Sequence, residues 1–479
     1  MIESFFFSSQ NYNVYLYNDK QMFTSLVHPQ LKAVHENPSK ADEYYNDKYK
    51  YLVEHGFFQN PYIVELGSVD QQMIEREISK VPEILFEVTD SCNLKCTYCG
   101  YGDLYEVVDE RNAKGINTDK ALVFLEYILK LKIAHKRIRL NIGFYGGEPL
   151  VNSKFIEAIV AASKEINANQ DLLLQYSMTT NGTLIHKYLG FLVDNDFNLT
   201  VSLDGNKLND SYRLYKVHGQ ESFDRVIENM DLIYNSFPQY FRDHINFISV
   251  LHDRNSVAST YEFIYSRYHK IPIVTELATK DVKSEKRNII NKMFKDKRNS
   301  ENDYFTKSKQ VIANSLFSSS DYNESKDYIK SYTLNHFMSN LSTLLHKQSQ
   351  YFPTSTCLPL GRKIFMTNRN KLLPCEKVNY TYCMGIVDNE VRIDIPAISK
   401  LYSRRLNQFR ELCQHCYAYR FCGQCMYHLP DLDKPNQNNV SCKRFYDQNR
   451  FKNKLSNVIS YLEKHPSHYF CTIENLETK

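Results

Sequence analysis

The sequence predicts an α/β protein built on a parallel sheet, and three observations carry that reading. From residue 83 onward, short β-rich runs alternate with amphipathic helical stretches, the pattern of βα units. Polar, Gly-containing loops follow four successive strand candidates at their C-terminal ends, where α/β barrels and sheets build their sites. The 12 cysteines are clustered, three at 92 to 99 and nine between 357 and 471.

The elements follow in order. Residues 1–80 read as a small α+β unit: Tyr12 to Leu26 suggests two short strands around the turn residues Asn18 and Asp19, with helical patterns near 30–36 and 41–56. Strand candidates then fall at Glu83–Val88, Arg139–Tyr145, Leu173–Thr179, Leu199–Leu203, Ile245–Leu251 and Ile271–Leu277. Thr118 precedes the Ala121, Leu122, Leu125, Ile128, Leu129 stripe, and Asn152-Ser153 precedes Phe155, Ile156 and Ile159, as helix starts require. The pattern alone fits an open doubly wound sheet as well as a barrel. After the strands come Cys92, Cys96 and Cys99, then Gly146-Gly147-Glu148-Pro149, then Thr180-Asn181-Gly182, then Ser202-Leu203-Asp204-Gly205, so one shared site is the economical explanation. Residues 281–350 read as a helical bridge; residues 280–309 hold ten basic against five acidic residues, a solvated face rather than a nucleic-acid groove. Residues 351–479 form a Cys-rich domain.

Composition narrows the function classes. Gly 15 and Pro 14 in 479 residues exclude long low-complexity linkers, and a net charge of +4 names neither nucleic acid nor membrane as partner. The first ten residues carry no secretory signature, and no run approaches the roughly 18 apolar residues of a membrane span. The expected setting is the reducing cytoplasm, where clustered thiols serve metals or catalysis rather than disulfides.

Cys92, Cys96 and Cys99 form C-x3-C-x2-C on a loop. Three thiols at unequal gaps fit an iron–sulfur cluster with one iron left without a protein ligand; a Cys3His zinc knuckle is the alternative, but no His follows before His135. With an aromatic before the third Cys and GGEP after the next strand, the chain resembles the radical S-adenosylmethionine (SAM) enzymes. The resemblance implies a partial (β/α)6 TIM-like barrel over residues 81–280. It also implies S-adenosylmethionine chelated at the open iron, and a 5′-deoxyadenosyl radical that abstracts hydrogen. Carried over residue by residue, it assigns Gly146, Gly147 and Glu148 to the methionyl amino group, with Glu148 an acceptor for the ammonium. Ser202 and Arg213 go to ribose or carboxylate, Tyr98 to the flank of the adenine, and Asn181 to the same cofactor site.

The C-terminal cysteines resemble a second signature, the SPASM domain of radical enzymes that modify ribosomal peptides and proteins, with two auxiliary [4Fe-4S] clusters. The resemblance assigns Cys413, Cys416, Cys422 and Cys442 to one cluster and Cys357, Cys375 and Cys425 to the other, three clusters in all. Two positions depart from the family: Asn370 stands where Gly is usual, and Cys422 and Cys425 are separated by two residues rather than three. Cys383 is a candidate fourth ligand of the second set, or a spare thiol like Cys471. Glu376, beside Cys375, matches an acidic residue credited with proton removal in sulfatase-maturing relatives; a paired surface carboxylate is the plain alternative.

The resemblance thus implies an oxidoreductase that modifies a ribosomal precursor peptide by cross-linking or side-chain change, served by an electron donor such as flavodoxin or ferredoxin. Residues 1–80 would grip the precursor by strand addition. The alternatives are a formylglycine-forming sulfatase-maturing enzyme and, in another class, a zinc-ribbon binding scaffold.

Overall fold

The computed structural model describes residues 1–20, 23–37, 42–58, 61–106, 112–307, 315, 319–332, 351–429, 432 and 440–477. Much of the expected helical bridge at 281–350 therefore lies outside the described residues. The chain divides into two compact units, one of residues 69–315 and 357–400, the other of residues 1–68, 316–356 and 401–479.

The first unit is built on a ten-stranded sheet. Its centre is six parallel strands, β4 (Glu83–Thr89), β5 (Arg139–Gly146), β6 (Leu173–Thr180), β7 (Asn198–Ser202), β8 (Ile245–Leu251) and β9 (Ile273–Glu276), paired in chain order. They match the six sequence candidates. In β4, burial on both faces explains the apolar run, since all six residues from Ile84 to Thr89 are buried. The helix Thr118–Ala134 is capped by Asn117, whose side chain accepts from the Lys120 amide at 2.9 Å, one residue earlier than the sequence suggests.

The sequence reading missed four short strands at the β4 edge. Strand β10 (Ile364–Met366) pairs parallel with β4, and β11 (Lys371–Leu373), β12 (Gly385–Val387) and β13 (Val391–Arg392) continue the sheet antiparallel. This is why residues 357–400 fall with the sheet rather than with the rest of the Cys-rich segment. Asn370, at φ 63°, makes the tight turn between β10 and β11, a left-handed position that Asn tolerates.

The second unit contains a three-stranded antiparallel sheet, β1 (Phe5–Ser8), β2 (Val14–Asn18) and β3 (Phe23–Val27), followed by helices Pro29–Glu36 and Glu43–Glu54. Strand β1 was not anticipated because its Phe run does not alternate. Phe5 and Phe7 pack with Tyr17, Phe451 and Leu455, while Phe6 packs on the other side with Val14, Leu16 and Leu31. A strand buried on both faces has no polar side to show.

Candidate active site

The loop after β4 carries Cys92, Cys96 and Cys99 and is zipped onto the segment 212–216. Lys95 N donates to Leu214 O at 2.7 Å, Thr97 N to Tyr212 O at 3.1 Å and Lys216 N to Asn93 O at 2.9 Å. Burial pushes the Cys92 thiol up to about 11, and nearby Glu148 and Cys99 add to it. Burial likewise pushes Cys96 up to about 12, with Arg213 opposing and the other two thiols adding. The three sulfurs are thus within electrostatic reach of one another. Amide donors face the first of them, Leu94 N at 3.4 Å and Asn181 Nδ2 at 3.8 Å from Cys92 Sγ.

No three His, Cys, Asp or Glu side chains among the described residues converge closely enough to share one ion. The fit to a cluster therefore rests on donor chemistry: three soft thiols near one another, and N–H groups directed at sulfur, as iron–sulfur ligation favours.

The glycines hold this loop in place. Gly147 N donates to Thr89 O at 2.8 Å and Glu148 N to Ser91 O at 2.9 Å, pressing the loop after β5 against the cysteine loop. A Cβ on Gly146, at φ 137°, would meet Thr89 O at 2.3 Å, and one on Gly147 would meet Ser91 O at 2.1 Å. Only glycine allows that approach.

Glu148 is fully buried and accepts from Thr180 Oγ1 at 2.8 Å, Asn181 N at 2.7 Å and Leu150 N at 3.2 Å. Protein donors thus take up part of the acceptor capacity that the sequence reading reserved for an ammonium. A carboxylate offers about four acceptor positions, and three are occupied by protein donors. Burial nevertheless wins over these donors and raises its pKa to about 7. Asn181 links the loops, donating to Asn93 Oδ1 at 2.8 Å and accepting from Thr183 Oγ1 at 2.6 Å.

Arg213 is also committed. Its guanidinium forks onto buried Asp204, Nε at 3.1 Å and Nη2 at 3.0 Å, and Nε lies 3.3 Å from Asp210. Asp204, nine residues away on the same loop, thus takes the two-pronged face of the guanidinium in this structure. Tyr98 donates to Asp204 and stacks at 5.6 Å on His252, so its neighbours are protein groups. His252 Nε2 lies 3.6 Å from Asp204 Oδ2. Burial alone would raise Asp204, but Arg213 and the other donors hold it down at about 2. Burial pushes Asp210 up to about 8, with the Asp204 charge adding. Asp204, Asp210 and His252 were not singled out from sequence; the only signal was a charged residue inside a strand-end Gly turn. Ser202 ends β7, half-buried.

Glu376 pairs with Lys363 at 3.2 Å, and Lys363 also pairs with Glu83 at 3.2 Å. Cys357 and Cys375 belong to this first unit, and Cys383 Sγ donates to Gly385 O at 3.1 Å.

In the second unit Cys413, Cys416, Cys422 and Cys442 come together. Burial raises the Cys413 thiol to about 12, and the charges of Cys422, Cys416 and Cys442 add to it. Cys416 and Cys422 are raised by burial too, and each feels Cys442. Backbone amides again face sulfur, Tyr446 N on Cys416 and Gln424 N on Cys422, both at 3.4 Å. Cys425 lies in this unit. No disulfide joins any of the 12 cysteines.

Comparison with known proteins places residues 86–264 in the Radical SAM superfamily model. A cysteine-type anaerobic sulfatase-maturating enzyme of Clostridium novyi is 33% identical over 148 residues, 30% of this chain and 38% of that protein. The radical SAM cyclopropyl synthase TigE of Paramaledivibacter caminithermalis is 26% identical over 226 residues, 44% of each chain. A GTP 3′,8-cyclase of Vibrio vulnificus is 28% identical over 171 residues, 35% of this chain and 46% of that one. The chain thus spans between 38% and 46% of the length of these curated relatives. The solved structure titled native anSMEcpe with bound AdoMet and Cp18Cys peptide shares the fold, with a TM-score of 0.50 at 19% identity, covering 82% of this chain and 99% of that one. No helix among the described residues is long and apolar enough to cross a membrane.

Proposed function

We propose, from the premise that residues 86–264 are a radical SAM domain, that the protein is a peptide maturase: it abstracts hydrogen from a residue of a ribosomally made precursor and installs a cross-link or side-chain modification. The observation that carries this is the pair of thiol sites in one chain, three thiols on the β4 loop and four gathered from residues 413–442. Cys92, Cys96 and Cys99 would hold a [4Fe-4S] cluster, which would supply one-electron chemistry toward S-adenosylmethionine.

The chain's own residues supply the rest. Gly146 and Gly147 let the two loops close on each other, and Asn181 directs an N–H at the Cys92 sulfur. Arg213, locked by Asp204, sets a fixed positive charge beside Cys96. Cys413, Cys416, Cys422 and Cys442 would hold an auxiliary cluster, and Cys357, Cys375 and Cys425 would contribute to another. Strand β3 pairs with β2 alone among the described residues, which supports strand addition by a precursor. Sulfatase maturation is the second reading, favoured by the 33% identity to the Clostridium novyi enzyme.

The test is anaerobic purification with iron, sulfide and zinc analysis, then assay of 5′-deoxyadenosine after reductant and S-adenosylmethionine. Wild type is expected to hold iron and form the nucleoside. The Cys92→Ala/Cys96→Ala/Cys99→Ala variant is expected to form none while retaining the iron of the second unit. Zinc without iron, and no nucleoside, overturns the reading. Formylglycine formed in a Cys-containing sulfatase peptide moves the assignment to the second reading.

A further inference from the structure

We propose that the N-terminal hairpin is part of the second cysteine site and that Asp19 is its positioning residue, an inference that rests on the metal-binding role proposed for Cys413, Cys416, Cys422 and Cys442. The segment between Cys416 and Cys422 contains only one short 3-10 turn, Tyr419–Phe421, which has too few internal bonds to hold its own shape. Its side chains are instead gripped from outside. Tyr417 packs edge-on against Phe5 at 5.8 Å, and its hydroxyl accepts from Glu3 N at 3.2 Å. Phe421 stacks on Phe451 at 6.1 Å, and Phe451 meets Tyr17 at 5.3 Å.

Tyr419 and Arg420 both end on Asp19, the residue directly after β2. Asp19 is 1% exposed and accepts from Tyr17 Oη at 2.5 Å, Tyr419 Oη at 2.8 Å, Arg420 Nη2 at 3.3 Å and the Tyr62 hydroxyl. Arg420 also donates to the Asp19 carbonyl at 3.2 Å and to Tyr351 Oη at 2.8 Å. Four donors converge on one carboxylate, which is acceptor-only when ionised; an amide there would add two N–H groups to a ring of donors. The spacing of the Cys416 and Cys422 thiols is therefore set by a residue some 400 positions away in sequence, since Asp19 and Arg420 are separated by 401.

Asp19→Asn and Asp19→Glu, made in the full chain carrying Cys92→Ala/Cys96→Ala/Cys99→Ala, test this on metal outside the first site. Asp19→Asn is expected to release metal to a chromophoric chelator about ten-fold faster than its parent, the usual scale for a residue that orients ligands. The reduction potential of the cluster proposed on Cys413, Cys416, Cys422 and Cys442 is expected to move positive, because the Arg420 charge loses its balance. Asp19→Glu is expected to recover most of the potential. If Asp19→Asn does not fold, Tyr419→Phe removes a single donor and is read the same way, with faster release expected. Unchanged release and unchanged potential in a folded variant overturn the proposal. Zinc in place of iron overturns only the cluster reading, since zinc release still reports on Asp19.

Discussion

Each of the two cysteine sites rests on a buried Arg–Asp pair ringed by aromatic groups, and the two pairs are assembled in opposite ways. In the first unit Arg213 forks onto Asp204 from nine residues away, with Tyr98 and His252 beside them and Asp210 as a second carboxylate. In the second unit Arg420 meets Asp19 across 401 residues, with Tyr17, Tyr62 and Tyr419 on the same carboxylate. A buried ion pair is best tolerated when its remaining lone pairs and protons are satisfied, and each ring supplies several such bonds, although Asp210 Oδ2 and His252 Nε2 in the first make none among the described residues. The first site is thus a product of one run of βα units, each strand end delivering its part. The second needs both ends of the chain.

The comparison breaks most sharply at the ion pairs. Asp204→Asn is expected to destabilise the first unit by about 3 kcal/mol, the low end for removing one partner of a buried pair. It falls at the low end because Asp210 stands 3.3 Å from the same guanidinium and is held protonated by burial with the Asp204 charge adding. With that charge gone, Asp210 can ionise and replace it. Denaturant titration checks the magnitude, and an Asp204→Asn/Asp210→Asn double variant should lose distinctly more than the single. A double variant no worse than the single would show that Asp210 does not compensate.

The same contrast explains what could be read from sequence. The six central strands were legible because each is a β-rich run bounded by polar turn residues, and the site was legible because strand-end loops of successive units fall together. The strands β10 to β13 were not, being two or three residues long and stabilised only by joining an existing edge. The protein partners of Glu148 and Arg213 were not legible either. Residue type names what a side chain can bind, and only packing shows that Thr180, Asn181 and Asp204 had already bound it. Asp19 was seen as a turn residue, and nothing local links it to Tyr419 and Arg420.

Acidity separates the carboxylates of the first site more finely. Glu148 stands at about 7 in the fold against an ordinary 4.5, so between those values the folded chain keeps a proton that the unfolded chain has released. Stability must therefore fall as pH rises through that window, by roughly 1 to 3 kcal/mol from this group. Asp204 runs the other way: held at about 2 against 3.8, it contributes stability above 3.8 that is lost as pH falls toward 2. Glu148→Gln has no proton to exchange, so the slope between pH 5 and 7 should flatten. The slope is the readout rather than the absolute stability, because Gln also forfeits one of the three bonds Glu148 accepts. Melting curves at a series of pH values decide it; an equal slope in wild type and variant would place the titration elsewhere.

The smallest effect is expected at Cys383, and it sharpens the count of ligands in the cysteine-rich segment. Its thiol donates to Gly385 O at 3.1 Å, at the entry to β12, and a serine hydroxyl can make the same bond. Cys383→Ser should therefore change stability by no more than about 0.5 kcal/mol. It should also leave the iron content per chain untouched, because a thiol used to close a turn onto the sheet edge is turned toward the backbone rather than toward a metal. Loss of iron in this variant would mean that the thiol leaves Gly385 when metal is loaded. That would make Cys383 the fourth ligand of the set expected at Cys357, Cys375 and Cys425, and would make the entry to β12 the element that presents it.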